Sequence, residues 1–154
     1  MDLKSRLFKL SPVEKEDVED IEQFIEYFFP YTAITKEKIV EKLKLDNFFL
    51  IKHHQKNILT GFAEIEFFFD KKEARLNAVF VEEAWRGQRI ATKLVKKCIH
   101  EVKRRKHIHR FFLLVKESNL AAKNLYRKCG FEFESTHDKI IDDSVVEVWA
   151  MYVH

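Results

Sequence analysis

Apolar positions recur at two different periods along this chain, and the switches between them mark its elements. Ser5 to Leu10 reads as a first strand. Ser11-Pro12-Val13-Glu14 then has the form of a capping box. Ser11 is placed to accept from the third helical amide, Glu14 to reach back, and Pro12 to sit at the first helical position. Val18, Ile21, Ile25 and Phe28 follow at helical spacing. That helix should stop before Pro30, since the residue preceding a proline avoids the α region. A second short helix is predicted from a Thr35 cap, with Ile39, Val40 and Leu43 on its buried face.

Phe48 to His54 and Leu59 to Phe69 flank the polar turn His54-Gln55-Lys56-Asn57 and predict a hairpin. Lys71-Lys72 makes the next turn, and Ala74 to Val81 is a further strand, so three strands form an antiparallel meander. The period then becomes helical. Ile90, Leu94, Cys98 and Val102 share one face of a helix of about five turns. Phe111 to Val115 is wholly apolar, as a buried strand would be. Ser118 is a cap for another helix, which carries Ala121, Leu125 and Cys129 and stops at Gly130. Phe131 to Ser135 and Val145 to Val153 would be a last strand pair joined by the polar loop His137 to Ser144. The strand at Ala74, the long helix and the strand at Phe111 form a β-α-β crossover, which requires parallel strands in an otherwise antiparallel sheet.

Length and composition add limits. The 154 residues fit one domain with its own core, and the 15 Phe residues predict an aromatic interior. A formal net charge of +3 points to no polyanionic partner by itself. No stretch reaches the ~18 apolar residues of a membrane span. The N-terminus lacks the apolar core of a signal peptide, and Cys98 and Cys129 make no disulfide framework, so a reduced cytoplasmic protein is expected.

The chemistry centres on one turn. Val79-Phe80-Val81 runs out of a strand, Glu82-Glu83-Ala84-Trp85 follows, and Arg86-Gly87-Gln88-Arg89-Ile90-Ala91 opens the long helix. The first amides of a helix lack internal partners and point outward, and the helix dipole adds about half a positive charge there. A phosphate is a natural ligand for such a place, and the small residues Gly87 and Ala91 let it approach the backbone.

With these residues the sequence resembles the GNAT superfamily of N-acetyltransferases. The family's pyrophosphate motif is Gln or Arg, two residues, Gly, one residue, then Gly or Ala. Arg86 and Ala91 match its ends, while Arg89 stands where Gly is usual. Trp85, Gly87, Ile90 and Leu94 fit the neighbouring positions. Downstream, the run from Ser118 to Phe131 matches a second signature of Asn, then Ala, then Leu-Tyr, a basic residue and Gly-Phe, about one β-α-β unit away. The resemblance spans essentially the whole chain. It implies a single α/β (α+β) domain over residues 1–154, with a mixed, mostly antiparallel sheet, a central splayed pair of parallel strands and flanking helices.

The resemblance also implies an acetyl-CoA-dependent N-acetyltransferase that acts by direct attack in a ternary complex, with coenzyme A as co-substrate and no metal. The pantetheine arm would lie between the splayed strands, bonded around Val79, Phe80 and Val81. The amides of Arg86, Gly87, Gln88, Arg89, Ile90 and Ala91, with the Thr92 hydroxyl, would cradle the pyrophosphate, and Asn119 would touch the coenzyme arm. Tyr126 would give a proton or hydrogen bond to the leaving thiolate as general acid. The base is less plain. Where many relatives carry Glu, this chain has Asn77, which is able to orient a water, and Leu113-Leu114 stand at the other common place. Glu64 or Glu66 on the preceding strand, acting through water, are the remaining candidates. Arg89 serves either through its backbone amide or by a guanidinium reaching the phosphates.

The acceptor, a small-molecule or peptide amine, is less defined. Phe28, Phe29 and Tyr31 could wall its site. Asp138, Asp142 and Asp143, if their loop borders that site, would favour a cationic amine such as a polyamine. His53-His54 and His107-x-His109 lack partners at metal-ligand spacing and read as surface histidines. Lys96, Lys97, Lys103, Arg104, Arg105, Lys106 and Arg110 read as a solvated helix face, so nucleic acid is not the expected partner. No membrane partner is implied, and either a monomer or a homodimer fits. Two alternatives stay open: a GNAT-like module that binds acyl-CoA without turnover, favoured by Asn77 and Leu114, and a basic nucleic-acid-binding domain.

Overall fold

The elements follow one another in the order the periodicity predicts. The computed structural model describes residues 8–30, 32, 34–82, 89–141 and 143–153. Strand β1 (Phe8–Pro12) leads through a 3₁₀ turn (Lys15–Asp17) into helix α1 (Val18–Phe28) and then α2 (Lys36–Lys44). Strands β2 (Phe48–Gln55), β3 (Ile58–Phe68) and β4 (Glu73–Val81) form the meander. Helix α3 (Ile90–Arg104) crosses to β5 (Arg110–Lys116), and α4 (Leu120–Cys129) precedes the hairpin of β6 (Glu132–Ile141) and β7 (Ser144–Tyr152). The sheet has the order β1-β2-β3-β4-β5-β7-β6, with only β4 and β5 parallel.

Strand alternation sends two apolar sets to opposite faces. Ile51, Ala63, Ile65, Phe111 and Leu113 meet the buried stripe of α3, where Ile90, Leu94, Cys98 and Val102 are all at or below 1% exposure. Leu50 and Phe62 on the other face meet Val18, Ile21 and Ile25 of α1 and Ile39 of α2. Thr35 caps α2, accepting from the Lys38 amide at 3.3 Å. The α1 stripe turns inward through Phe24, while Phe28 is 38% exposed instead of buried.

Several boundaries differ from the sequence reading, each for a local reason. Pro12 ends β1 and does not open a helix. It pairs with Ile51 on the sheet's edge strand, where a missing amide is tolerated. The reciprocal cap forms three residues later, where the Glu14 amide donates to Asp17 Oδ2 at 2.8 Å. Asn119, not Ser118, caps α4: its Oδ1 accepts from the Ala122 amide at 3.1 Å. The expected loop His137 to Ser144 is mostly strand, so β6 and β7 form one long hairpin. β5 is not buried on both faces, since Leu114 is 36% exposed.

The basic stretch is partly structural. Arg110 bridges Glu73 and Glu134, Arg105 lies 3.9 Å over the Phe67 ring, and Arg104 pairs with Glu101 at 2.6 Å. His53 is not on the surface. Alternation on β2 turns it inward to 1% exposure, with Nδ1 2.6 Å from Thr60 Oγ1. The Thr60 hydroxyl itself donates to the His53 carbonyl, which makes Nδ1–H the donor to Thr60. Burial, aided by the charges of Lys93 and His54, pushes the imidazole down to about 4.

That shift carries a stability consequence. Between 6.5 and about 4 the unfolded imidazole binds a proton that the folded one refuses, so its contribution is full above the upper value and is lost as pH falls toward the lower. Urea midpoints should fall across this window in the wild type, and His53→Gln should fall less steeply; equal slopes would refute the assignment.

Candidate functional site

The site begins where a ladder stops. β4 and β5 pair from Glu73↔Arg110 to Leu76↔Leu113, and among the described residues their pairing ends there. Yet β4 continues along β3 to Val81↔Gly61, and β5 continues along β7 to Lys116↔Val146. Opposite β4, the register shifts between Glu64 (facing Ala78) and Ile65 (facing Leu76), which leaves Asn77 as the extra residue. A bulge of this kind bends the strand that carries it. The two strands therefore part, and the gap leaves their main chains facing each other in the middle of the sheet. An amide-bearing ligand is able to bond there as an added strand.

A cavity of about 610 Å³ adjoins the gap. β4 contributes Val79, Phe80 and Val81, α3 contributes Ile90, Ala91 and Thr92 after Arg89, and α4 contributes Asn119 and Tyr126. These sequence-predicted residues are thus brought together by three elements. Arg86, Gly87 and Gln88 lie outside the described residues, as does Trp85. Arg89 has φ 62°, so the helix proper starts only at Ile90 and spans 15 residues, about four turns. A left-handed residue at this point explains why a glycine would suit it. Gly61 brings β3 close beneath the helix: a Cβ there would lie 2.9 Å from Leu94 Cδ1 and 3.1 Å from the Phe80 carbonyl oxygen.

Helix α4 is pinned from below. Lys123 Nζ reaches the buried Glu147 at 3.2 Å, and Trp149 Nε1 donates to the same carboxylate at 2.9 Å. Gly130, at φ 106°, ends the helix. Tyr126 is thereby fixed with its ring edge-on to Phe131 at 5.9 Å. Burial pushes its phenol up to about 12, with Cys129 and Cys98 adding to the effect. The hydroxyl keeps its proton at neutral pH and is able to donate it.

A second cavity of about 470 Å³ shares Phe80 with the first and reaches Leu114 across the gap. Its floor holds the buried Glu64. Lys42 Nζ meets Glu64 Oε1 at 2.8 Å, and Asn77 Nδ2 donates to Glu64 Oε2 at 2.7 Å. Asn77 Nδ2 also lies 3.0 Å from Glu66 Oε1, which accepts from Arg75 at 3.0 Å. Glu66 does not line the cavity. The two carboxylates share a strand face, so the sequence could not rank them, and Lys42 and Arg75 carried no signal that they belong here.

The aromatic trio divides. Phe29 lines the first cavity and packs on Phe80 with centroids 4.6 Å apart. Phe28 lines a separate groove with Phe24 and Tyr27. Tyr31 lies outside the described residues. Asp138 stands on β6 and Asp143 at the hairpin turn, and neither lines these two cavities; Asp142 lies outside the described residues. Among the described residues, no group of three or more His, Cys, Asp or Glu is arranged to hold a metal.

Residues 8–131 match the sequence model of the "Acetyltransferase (GNAT) family". No curated protein matches the chain. Many solved structures share the fold. One is the ribosomal-protein-S18-alanine N-acetyltransferase of Escherichia coli, with TM-score 0.79 and 19% identity, over 95% of this chain and 94% of that one. Another is a ribosomal L7/L12 α-N-protein acetyltransferase in complex with coenzyme A, with TM-score 0.81 and 16% identity, over 97% and 96%. A third is the dodecameric spermidine N-acetyltransferase of Vibrio cholerae, with TM-score 0.78 and 17% identity, over 97% and 95%.

The left-handed Arg89 yields a measurable ranking. An L-residue in this conformation costs about 1–2 kcal/mol, and a β-branched one more. Urea unfolding should place Arg89→Gly above wild type by about 1 kcal/mol and Arg89→Val below it. The reverse order would show that position 89 is not left-handed.

Proposed function

Since this chain belongs to the acetyltransferase (GNAT) family, we propose that it carries an acetyl group from acetyl-CoA to a primary amine by direct attack in a ternary complex. Residues 1–154 act as one catalytic domain in the cytoplasm. The observation that carries the reading is the parting of β4 and β5, with one cavity on the α3–α4 side and a carboxylate-floored cavity meeting it at Phe80. Solved neighbours named for a ribosomal-protein alanine and for spermidine both point to amine acceptors.

The coenzyme arm takes the gap beside Val79, Phe80 and Val81, and the pyrophosphate takes the amides from Arg86 to Ala91 with Thr92. The thioester supplies the electrophilic acyl carbon. Asn119 Oδ1 is committed to its helix cap, so its contact with the coenzyme falls to the rest of the side chain or to its backbone. The incoming ammonium must lose a proton before its nitrogen has a lone pair. Glu64 receives that proton through a water that Asn77 helps to hold, a role favoured over Glu66 because only Glu64 lines the cavity. Tyr126 gives its phenolic proton to the departing sulfur. Asn77 in place of a carboxylate is thus compensated by Glu64, 2.7 Å away, which supports turnover over mere binding.

The first experiment is thiol release from acetyl-CoA across a panel of amines, beside thermal shift with the coenzyme. Stabilisation should grow with coenzyme concentration, by about 2.7 kcal/mol at a hundredfold excess over Kd. No shift at millimolar coenzyme would overturn the reading. Tyr126→Phe should lower kcat by about 10²–10⁴-fold while leaving the thermal shift in place. Glu64→Gln should lower kcat by about 10²–10⁴-fold, with Glu66→Gln close to wild type; equal effects of the two would remove Glu64 as base.

A further inference from the structure

The second cavity is bipolar. Its buried end is anionic, for the Glu64 side chain is 6% exposed. Its rim is cationic, for Lys42 and Arg75 line the same cavity with side chains 28% and 35% exposed. Asn77 ties the two halves together, since its Oδ1 accepts from Arg75 Nε and its Nδ2 donates to Glu64. Counting Glu66 behind Arg75, two carboxylates face two cations, and the group is neutral as it stands.

A ligand entering this space displaces water, so any charge it leaves uncompensated is costly. A polyamine would carry a second cation past Lys42 and Arg75. A peptide amine would lead a neutral chain past one guanidinium and one ammonium group, which then gain nothing. A ligand with its ammonium toward Glu64 and a carboxylate a few bonds away meets opposite charge at both ends. Arg75 suits this carboxylate because its planar fork binds such groups bidentately. The rest of the lining is apolar, from Ile34, Leu76, Ala78, Phe80 and Leu114.

We propose that the acceptor is a free amino acid with an apolar side chain, held by its carboxylate at Arg75 and Lys42 and with its amine facing Glu64 across the bridging water. This rests on the acetyl-transfer reading above. The acidic hairpin residues Asp138 and Asp143, which favoured a cationic acceptor, line neither cavity.

The test uses the full chain with acetyl-CoA and three sets of amines: free leucine and methionine, their carboxamides, and spermidine. The free amino acids should exceed their carboxamides in kcat/KM by roughly 10-fold to 100-fold, the worth of one charge-assisted hydrogen bond. Arg75→Gln should raise KM for the free amino acids by a similar factor and for the carboxamides by much less, so that the preference between the two sets collapses; an unchanged preference would overturn the proposal. A preference for carboxamides or spermidine would overturn this proposal while leaving acetyl transfer intact. Coenzyme binding without acetylation of any amine would overturn both.

Discussion

The ladder between β4 and β5 ends at Leu76↔Leu113, and the rest of the molecule is arranged around that interruption. A sheet ordinarily satisfies its main-chain groups by continuing, and an unpaired edge in its interior is unfavourable unless something else bonds to it. Here the outer sides of both strands stay fully held, β4 by β3 and β5 by β7, so the gap cannot close by letting either strand drift. The extra residue Asn77 bends β4 away. The same bulge turns the Asn77 side chain toward Glu64 and Glu66, so one backbone irregularity both opens the gap and completes the polar floor beside it.

Burying Glu64 has a cost that its neighbours must offset. A carboxylate taken out of water is stable only with hydrogen bonds and opposite charge close by. Lys42 comes from α2 and Asn77 from β4, so the arrangement depends on α2 docking against the sheet through Ile39. Packing on the α1–α2 face thus sets the charge of the second cavity. Tyr126 shows the complementary case. There burial acts, among the described residues, without a compensating partner of opposite charge, and the phenol is held in its protonated form.

Much of this was legible beforehand, and what was not follows a pattern. Element order, the β-α-β crossover, the Thr35 cap and the stop at Gly130 all arise from local spacing or a single residue's backbone preference. So do the cavity residues of β4 and the start of α3, because a strand, a turn and a helix start lie consecutively in the chain. Pro12 misled because a helix's first position and an edge strand both tolerate a missing amide, and only pairing with Ile51 tells them apart. The segment His137 to Ser144 looked like a loop because β6 is an edge strand exposed along most of its length, where polar residues cost little. His53 was misjudged because polarity stood against alternation, and alternation, backed by Thr60, prevailed.

The proposed donor and acceptor sides differ in legibility for a physical reason. In the first, the lining from β4 and the start of α3 lies within a short span of the chain. The second is built from side chains of α2, β3, β4 and β5, brought together only by tertiary packing. Glu64 and Glu66 are equivalent by period, and they separate only because one lies under Lys42 and the cavity while the other is taken by Arg75. A main-chain site serves any sequence that keeps its turn and tolerates change around it, as the arginine at position 89 illustrates in a left-handed conformation that glycine would adopt more easily. A side-chain site changes its ligand with each substitution. On the proposed reading, then, the shared substrate would be bound where the backbone governs, and the distinguishing one where side chains do.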